Sequence, residues 1–411
     1  MPYCDVGTQT SSPATSSSAV APADAHLNND VKIFYRTYGR GPTKVLLIIG
    51  LASTHEGWGP QIKGFTGTNV PNDEDDAVWS CEGDNEAGGG IQVCAFDNRG
   101  VGRSSVPIRK SDYSTKIMAK DAITLLDHLG WKKAHVFGHS MGSMIACKLA
   151  AMVPDRVLSM ALLNATGGGF QCFPKFDRRT ISVAYRFLKA KSPEQRAEVD
   201  LDTHYSQEYL EEYVGTVKRR TILYQQYVKG ISSSGMQSNY GFDGQLSACW
   251  NHKMTQKEIE AIKSAGFLVS VIHGRADIIA QLYYARRLAE RFHPMARLVE
   301  LHGGHLVSHE RPEEVNQALF DLIKASEVKM IPHDWTNLPN TQSWWKERRM
   351  LLVKNNQSGN NISTEYIIEK LHFCILYFLS LLILVFEFGR KLVRSLKPVR
   401  VGSSTAYIDS Q

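Results

Sequence analysis

Short apolar runs alternate with amphipathic segments between residues 31 and 163 and again beyond residue 266. A strand buried on one face alternates apolar and polar residues, whereas a strand buried on both faces is continuously apolar. Residues 31–38 alternate, which predicts a half-buried antiparallel strand. Residues 44–49 do not alternate, which predicts a strand of a parallel sheet that is covered on both faces. Further strands are predicted at 2–7, 91–96, 134–137, 157–163, 267–272 and 297–301.

Helical periodicity fills several of the gaps between these strands. Residues 115–129 place their apolar side chains on one face and precede Gly130, which is typical of an amphipathic helix with a glycine C-cap. A second helix is predicted after Ser140 and before Pro154, and a third begins at Pro312. This alternation of strands and helices predicts an α/β fold with a mostly parallel sheet.

Three stretches depart from this pattern. Residues 8–25 are rich in Ser, Thr and Ala, and residues 66–90 are acidic and glycine-rich, so both are expected to be flexible insertions in the core. Residues 168–265 are rich in aromatic residues and helical signals, which predicts an inserted helical cap. Most of these aromatic residues are expected to form the core of the cap, and a minority to line an apolar pocket. The core is then assigned to residues 1–167 and 266–328.

Composition excludes several classes of partner. The chain has 411 residues and a net charge of +6, but five basic residues and one acidic residue follow Gly389, so the rest is close to neutral. Nucleic-acid binding is therefore not expected. The seven cysteines form no C-x-x-C pair and no metal-ligand spacing with histidine, which favours reduced thiols. The acidic run at 73–76 lacks the spacing of a calcium loop, so neither a metal nor a cofactor is predicted.

Residues 138–142 carry the strongest chemical signal in the chain. They read Gly-His-Ser-Met-Gly and lie between a predicted strand and a predicted helix. A serine at such a junction occupies a sharp turn that exposes its hydroxyl, and the flanking glycines allow the backbone to pass closely. Ser140 is therefore the candidate nucleophile, and the backbone N–H of Met141 is a candidate oxyanion donor.

Two polar loops follow neighbouring predicted strands. Gly50 and Leu51 begin the first loop, where the N–H of Leu51 is the candidate for a second oxyanion donor. A plain connection between a strand and a helix is the alternative interpretation. The second loop, residues 97–104, is interpreted as structural, with Asp97 and Arg99 expected to pair.

A serine hydroxyl needs a base to accept its proton and a carboxylate to orient that base. Asp277 is the only carboxylate in the loop that ends its predicted strand. His302, His305 and His309 follow the next strand, and His305 comes directly after two glycines that allow its ring to reach back. Ser140, Asp277 and His305 therefore form the candidate catalytic set, all at the carboxyl ends of strands.

These motifs together make the sequence resemble the α/β-hydrolase fold superfamily over about residues 2–325. The resemblance rests on GLAS after a buried strand, DNRGVGRS, GHSMGS, the GRAD strand end, and GGH followed by RPEEV. It implies an eight-stranded, mostly parallel sheet with helices on both faces and an inserted cap. It also implies Ser140 as nucleophile, Asp277 as acid, His305 as base, and the Leu51 and Met141 amides as oxyanion hole. Ile49 stands before the oxyanion glycine, where many members of the superfamily carry a histidine. This difference should affect how the loop at Gly50 is anchored.

The function expected from this resemblance is hydrolysis of carboxylic esters through an acyl-enzyme, on lipid-like or other apolar small molecules. The alternatives are a thioesterase, an acyltransferase or a carbon–carbon bond hydrolase with the same three residues. A ligand receptor with negligible turnover is the alternative outside the enzymes.

The chain changes character after Lys324. Residues 329–370 are interpreted as a linker, and residues 389–411 as a basic tail. Between them, residues 371–388 are mostly apolar, which predicts a C-terminal transmembrane helix, although a bilayer span needs about 20 residues. The chain is therefore expected to be a single-pass membrane protein with its span near the C-terminus. The basic flank favours a C-terminus in the cytosol, but the missing signal sequence and the cysteines favour a cytosolic catalytic domain, which is preferred.

Overall fold

The computed structural model describes residues 2–7, 31–72, 90–175, 177–234 and 237–337. The chain divides into two units, residues 1–339 and 340–411, and all described residues belong to the first. The predicted insertion at 8–25 and most of the one at 66–90 lie outside these ranges.

Eight strands form one mostly parallel sheet, as the sequence predicted. In spatial order they are β1, β2, β4, β3, β5, β6, β9 and β10. Their bounds are β1 Tyr3–Asp5, β2 Lys32–Tyr38, β3 Thr43–Ile48, β4 Ile91–Phe96, β5 Ala134–His139, β6 Val157–Leu163, β9 Leu268–Gly274 and β10 Ala296–Leu301. β1 pairs with β2, and β2 with β4, in antiparallel fashion, whereas all other neighbours are parallel. The carboxyl ends of β3, β5, β6, β9 and β10 therefore meet at one edge.

Helices cover both faces of this sheet. The bounds of those that flank it are α1 Gly59–Thr66, α2 Thr115–His128, α3 Met141–Met152, α10 Leu282–Arg291, α11 Val307–Glu310, α12 Pro312–Glu327 and α13 Pro332–Asn337. Val45 and Leu47 of β3 pack in the cluster that contains residues of α1 and α12, whereas Leu46 and Ile48 pack in the cluster of α2 and α3. A continuously apolar strand thus supplies side chains to two cores, which is why it lacks alternation.

A helical segment is inserted between β6 and β9. We call residues 178–264 the cap; its helices are α4 Arg178–Lys189, α5 Pro193–His204, α6 Gln207–Glu211, α7 Arg219–Ser234, α8 Asn239–Trp250 and α9 Gln256–Ser264. A hairpin of β7 Tyr213–Val214 and β8 Val217–Lys218 joins α6 to α7. Side chains of Asp177, Ser192 and Ser206 cap the N-termini of α4, α5 and α6. These caps satisfy amides that have no partner within the helix.

The predicted linker begins with ordered structure. Trp335 of α13 is 1% exposed, and its indole N–H donates to the carbonyl of Val269 in β9 at 2.9 Å. Residues 332–337 therefore pack against the sheet. Residues 338–370 of the predicted linker lie outside the described ranges.

The prediction of a membrane-spanning helix, and with it the single-pass membrane location, is corrected here. In the ranges that the structure describes, no helix is both long enough and apolar enough to cross a bilayer. The longest, α7 and α12, have 16 residues each. That length corresponds to about 24 Å, short of the roughly 30 Å of a hydrocarbon core. Residues 371–388, on which the prediction rested, lie outside the described residues, and the membrane assignment is withdrawn.

The predicted pair of Asp97 and Arg99 is also wrong. Arg99 instead binds Asp121 of α2 through two hydrogen bonds of 2.5 and 2.6 Å, with both side chains buried. Asp97 accepts hydrogen bonds from the amide and ring of His55 and from the amide of Arg103. A buried guanidinium needs a buried anion, and Asp121 provides it, whereas Asp97 already accepts hydrogen bonds from His55 and Arg103.

Candidate active site

The sharp turn at Ser140 joins β5 to α3. Ser140 has φ 54° and ψ −118°, a backbone conformation that few non-glycine residues adopt and that concentrates at functional sites. The turn is held by a hydrogen bond from the Ser140 amide to the carbonyl of Leu163, at 2.8 Å. A Cβ at position 142 would lie 1.9 Å from the carbonyl oxygen of Ile48, so only glycine lets α3 pack this closely on β3.

Met141 is the first residue of α3, so its amide has no acceptor within the helix. The loop that contains Leu51 approaches the same turn, because a Cβ at Gly50 would lie 3.2 Å from the Cβ of Ser140. The two predicted oxyanion donors thus come from backbone segments that flank the serine. Their role in catalysis stays a prediction.

The loop at Gly50 is anchored by side chains that the sequence analysis did not identify. Gln245 of the cap is fully buried; its carbonyl accepts from the amide of Ala52 at 2.9 Å, and its amide donates to the carbonyl of Arg99 at 2.9 Å. Asn98 donates to the carbonyl of Ile49 at 2.9 Å. These contacts hold the loop in a chain that lacks a histidine at position 49.

Asp277 and His305 meet where β9 and β10 end. His305 Nδ1 lies 2.8 Å from Asp277 Oδ2, and the side chains are 6% and 0% exposed, respectively. The other carboxylate oxygen of Asp277 accepts from the amides of Ile279 and Ala280 at 2.8 and 2.9 Å. Asn164, which follows β6, donates to Asp277 Oδ2 at 2.8 Å. The carboxylate is therefore fixed by four donors and orients the imidazole through Nδ1.

The electrostatic balance keeps Asp277 ionised. Burial alone would raise the pKa of Asp277, but the charge and hydrogen bond of His305, followed by His273 and Asn164, lower it from 3.8 to about 2. A carboxylate that is ionised at neutral pH can stabilise a positive charge on the adjacent imidazole.

Comparisons with known proteins identify the family of this fold. The model of the family described as alpha/beta hydrolase fold matches residues 45–312, a range that includes Ser140, Asp277 and His305. The chain belongs to the α/β-hydrolase family.

Curated relatives of this hydrolase are distant. A putative carbamate hydrolase RutD from Azorhizobium caulinodans is 25% identical over 294 residues, covering 71% of this chain and 94% of that protein. A putative non-heme bromoperoxidase BpoC from Mycobacterium tuberculosis is 27% identical over 232 residues, covering 56% of this chain and 82% of that protein. These relatives support an enzyme of the hydrolase superfamily.

Solved structures show the same fold. The enol-lactonase from Burkholderia xenovorans LB400 matches with a TM-score of 0.54 and 21% identity. The match covers 72% of this chain and 97% of that protein. At this identity, the likeness supports the fold and leaves the substrate open.

Contacts from the cap reach the loop that carries His305 in this hydrolase. Glu310 is 5% exposed and accepts hydrogen bonds from the amide and hydroxyl of Ser206 and from the amide of Gly304, at 2.8, 2.6 and 2.8 Å. The amide of Leu306 donates to the carbonyl of His204 at 2.9 Å. The residues on both sides of His305 are thus tied to the cap.

Two further imidazoles flank His305. The ring of His139 lies edge-on with its centroid 5.0 Å away, and the ring of His204 is stacked at 6.2 Å. Burial is the main cause that lowers the pKa of each to about 3, so both are neutral near pH 7. His139 Nε2 also donates to the carbonyl of His305 at 2.9 Å, which connects the base to the residue before Ser140.

The predicted residues separate into two groups. Asp277 and His305 are in direct contact, and Ser140, Met141 and Leu51 follow the ends of β5 and β3 at the same sheet edge. Of the two other candidate histidines, His302 is exposed, and His309 donates from Nε2 to the carbonyl of Gly57 at 2.7 Å. Within the described residues, no group of three or more His, Cys, Asp or Glu is arranged to hold a metal ion.

Asn164 could have been found from the sequence, because it directly follows a predicted strand, which is the rule that identified Asp277. Gln245, Ser206 and Glu310 carry no such signal. Their contacts between the cap and the core join residues 104 to 193 positions apart.

Proposed function

We propose that this protein hydrolyses carboxylic esters of small, uncharged molecules through a covalent acyl-enzyme on Ser140. The observation that carries the proposal is the 2.8 Å contact between His305 Nδ1 and a buried, ionised Asp277, in a family member that has a serine at the strand-to-helix turn. This arrangement leaves Nε2 of His305 as the proton acceptor.

The reaction proceeds in two halves. His305 Nε2 takes the hydroxyl proton of Ser140 as Oγ forms a bond to the ester carbonyl carbon, and the amides of Leu51 and Met141 donate to the resulting oxyanion. The bond to the alcohol oxygen then breaks, and His305 returns the proton to the departing alcohol. Water attacks the acyl-enzyme with His305 again as base, which releases the carboxylic acid and restores Ser140. Each oxyanion donor contributes about 3 kcal/mol to transition-state stabilisation.

A fluorophosphonate probe tests the nucleophile, and release of p-nitrophenol from p-nitrophenyl esters tests turnover. We expect labelling of the full chain that is lost in Ser140→Ala, together with ester hydrolysis that falls to background in that variant. Ser143→Ala is the matched control, since Ser143 lies in the same helix turn but donates to the carbonyl of Gly138 at 2.7 Å.

Ester hydrolysis that persists in a folded Ser140→Ala protein would refute the mechanism. Labelling without ester turnover would favour thioester cleavage, acyl transfer or carbon–carbon bond hydrolysis by the same residues. A folded protein that is neither labelled nor active would favour the receptor alternative.

A further inference from the structure

A cavity of about 110 Å³ lies beside the candidate catalytic residues. Its wall includes Ile49, Trp58, His139, Leu306 and His309. Ile49 precedes Gly50, His139 precedes Ser140, and Leu306 follows His305. Three wall residues are therefore direct chain neighbours of the oxyanion loop, the nucleophile and the base. This adjacency makes the cavity the candidate space for a group attached to a carbonyl at Ser140.

The size and charge of the cavity restrict what it holds. A cavity of about 150 Å³ in another protein binds benzene, so 110 Å³ suits an acyl group of about five carbons. Among the residues that the structure describes, no Asp, Glu, Lys or Arg lines it. Burial is the first cause of the lowered pKa of both histidines in its wall, His139 and His309, which are neutral near pH 7. An uncharged group is favoured, because none of the described wall residues compensates a buried charge.

Trp58 adds one polar requirement. Its side chain lines the cavity and is 1% exposed, and its indole N–H has no acceptor within the described part of the chain. The Nε2 of His309, by contrast, is engaged by the carbonyl of Gly57. A buried donor without an acceptor is unfavourable, so a bound group that brings an acceptor oxygen to Trp58 gains affinity.

We propose that this cavity binds the acyl part of the substrate, and that this acyl group is short, uncharged and carries an acceptor oxygen for the indole N–H of Trp58. The inference rests on the proposed ester hydrolysis. It narrows the apolar esters expected from the sequence to those with an acyl part of about four to six carbons.

The test compares kcat/KM, corrected for spontaneous hydrolysis, for two sets of p-nitrophenyl esters. The first set is the acetate, pentanoate, hexanoate and dodecanoate. The second set is the 4-oxopentanoate and 5-oxohexanoate, which differ from their parents by one acceptor oxygen. We expect the pentanoate or hexanoate to exceed the dodecanoate at least tenfold, and one oxo ester to exceed its parent about tenfold.

Trp58→Phe keeps an aromatic ring but removes the N–H, so it should abolish the preference for the oxo ester. Trp131→Phe is the matched control, because Trp131 is also buried (6% exposed) but does not line the cavity. It should leave both ratios unchanged. Leu306→Ala enlarges the cavity and should move the optimum to longer chains. The ratio of kcat/KM for two esters does not depend on the fraction of folded enzyme. A changed ratio therefore reports a change in specificity and not a loss of stability.

Equal values of kcat/KM across the chain lengths, or a preference for the oxo ester that survives Trp58→Phe, would overturn the proposal that this cavity binds the acyl group. If Ser140 is still labelled and the acetate is still hydrolysed, the proposed ester hydrolysis stands. Absence of both labelling and acetate hydrolysis would overturn the two proposals together.

Discussion

The carboxylate of Glu310 joins the cap to the loop of His305, and its replacement offers a quantitative test of that connection. Oε1 accepts from the amides of Ser206 and Gly304, and Oε2 accepts from the Ser206 hydroxyl. Glu310→Leu removes the two oxygens that accept these three hydrogen bonds, whereas Glu310→Gln retains an oxygen for the two amides. The NH₂ group of the new glutamine side chain can donate to the hydroxyl oxygen of Ser206 once that hydroxyl has rotated.

The difference between the two variants follows from the number of donors left unpaired. Each buried donor without an acceptor costs about 1–3 kcal/mol, and such costs are not fully additive. Glu310→Leu should therefore lower the free energy of unfolding by about 3–5 kcal/mol. Glu310→Gln loses only the charge assistance and should cost about 1 kcal/mol. Because Gly304 precedes His305, the Leu variant should also lower kcat at least tenfold.

Urea unfolding followed by tryptophan fluorescence measures the first effect, and ester hydrolysis under native conditions measures the second. Glu313→Leu and Glu313→Gln are the controls, since Glu313 is exposed at the start of α12. The reasoning is refuted if Glu310→Leu unfolds like the Glu313 variants, or if Glu310→Gln is as damaging as Glu310→Leu.

Three other perturbations probe the site. Asp277→Asn must turn an NH₂ group towards donors that now meet carboxylate oxygens, so kcat should fall about 10³–10⁴-fold; a loss below tenfold in ester hydrolysis would contradict the assigned role. The pKa of Asp277 is about 2 in the folded chain and ordinarily 3.8, so its contribution to stability is present above pH 4 and is lost as the pH falls towards 2. Linkage gives on the order of 2 kcal/mol, and urea titrations from pH 5 to 2 should show a shallower loss in Asp277→Asn. Gln245→Leu leaves the amide of Ala52 and the carbonyl of Arg99 unpaired, so it should lower stability by about 2–4 kcal/mol and kcat more than KM; Gln256→Leu, at an exposed position, should change neither.

Local patterns were sufficient for the sheet and for the order of the candidate residues. Strand β3 was recognisable because its unbroken apolar run serves two cores. Asp277 and His305 could be chosen because parallel strands end at a common edge. Residues that directly follow such strands in the sequence therefore lie near one another in space. The same rule applies to Asn164, whose contact with Asp277 could have been predicted.

The failures have physical causes as well. Arg99 was paired with the carboxylate nearest in sequence, but Asp121 lies 22 positions away and is the buried anion that Arg99 meets. Gln245 and Ala52 are 193 positions apart, and nothing in the periodicity of either segment encodes their hydrogen bond. Contacts between the cap and the core depend on how two separately patterned segments pack, and a single sequence carries no local record of that packing.

The absence of a histidine at position 49 changes how the oxyanion loop is held. In this chain the loop is anchored by Asn98 on one side and by Gln245 on the other, and Gln245 belongs to the cap. The loop of His305 is likewise bound to the cap through Glu310 and Ser206. Two of the loops that carry candidate catalytic groups therefore depend on cap contacts for their geometry. A displacement of the cap would then misplace both the Leu51 amide and the base, rather than only widen access to Ser140.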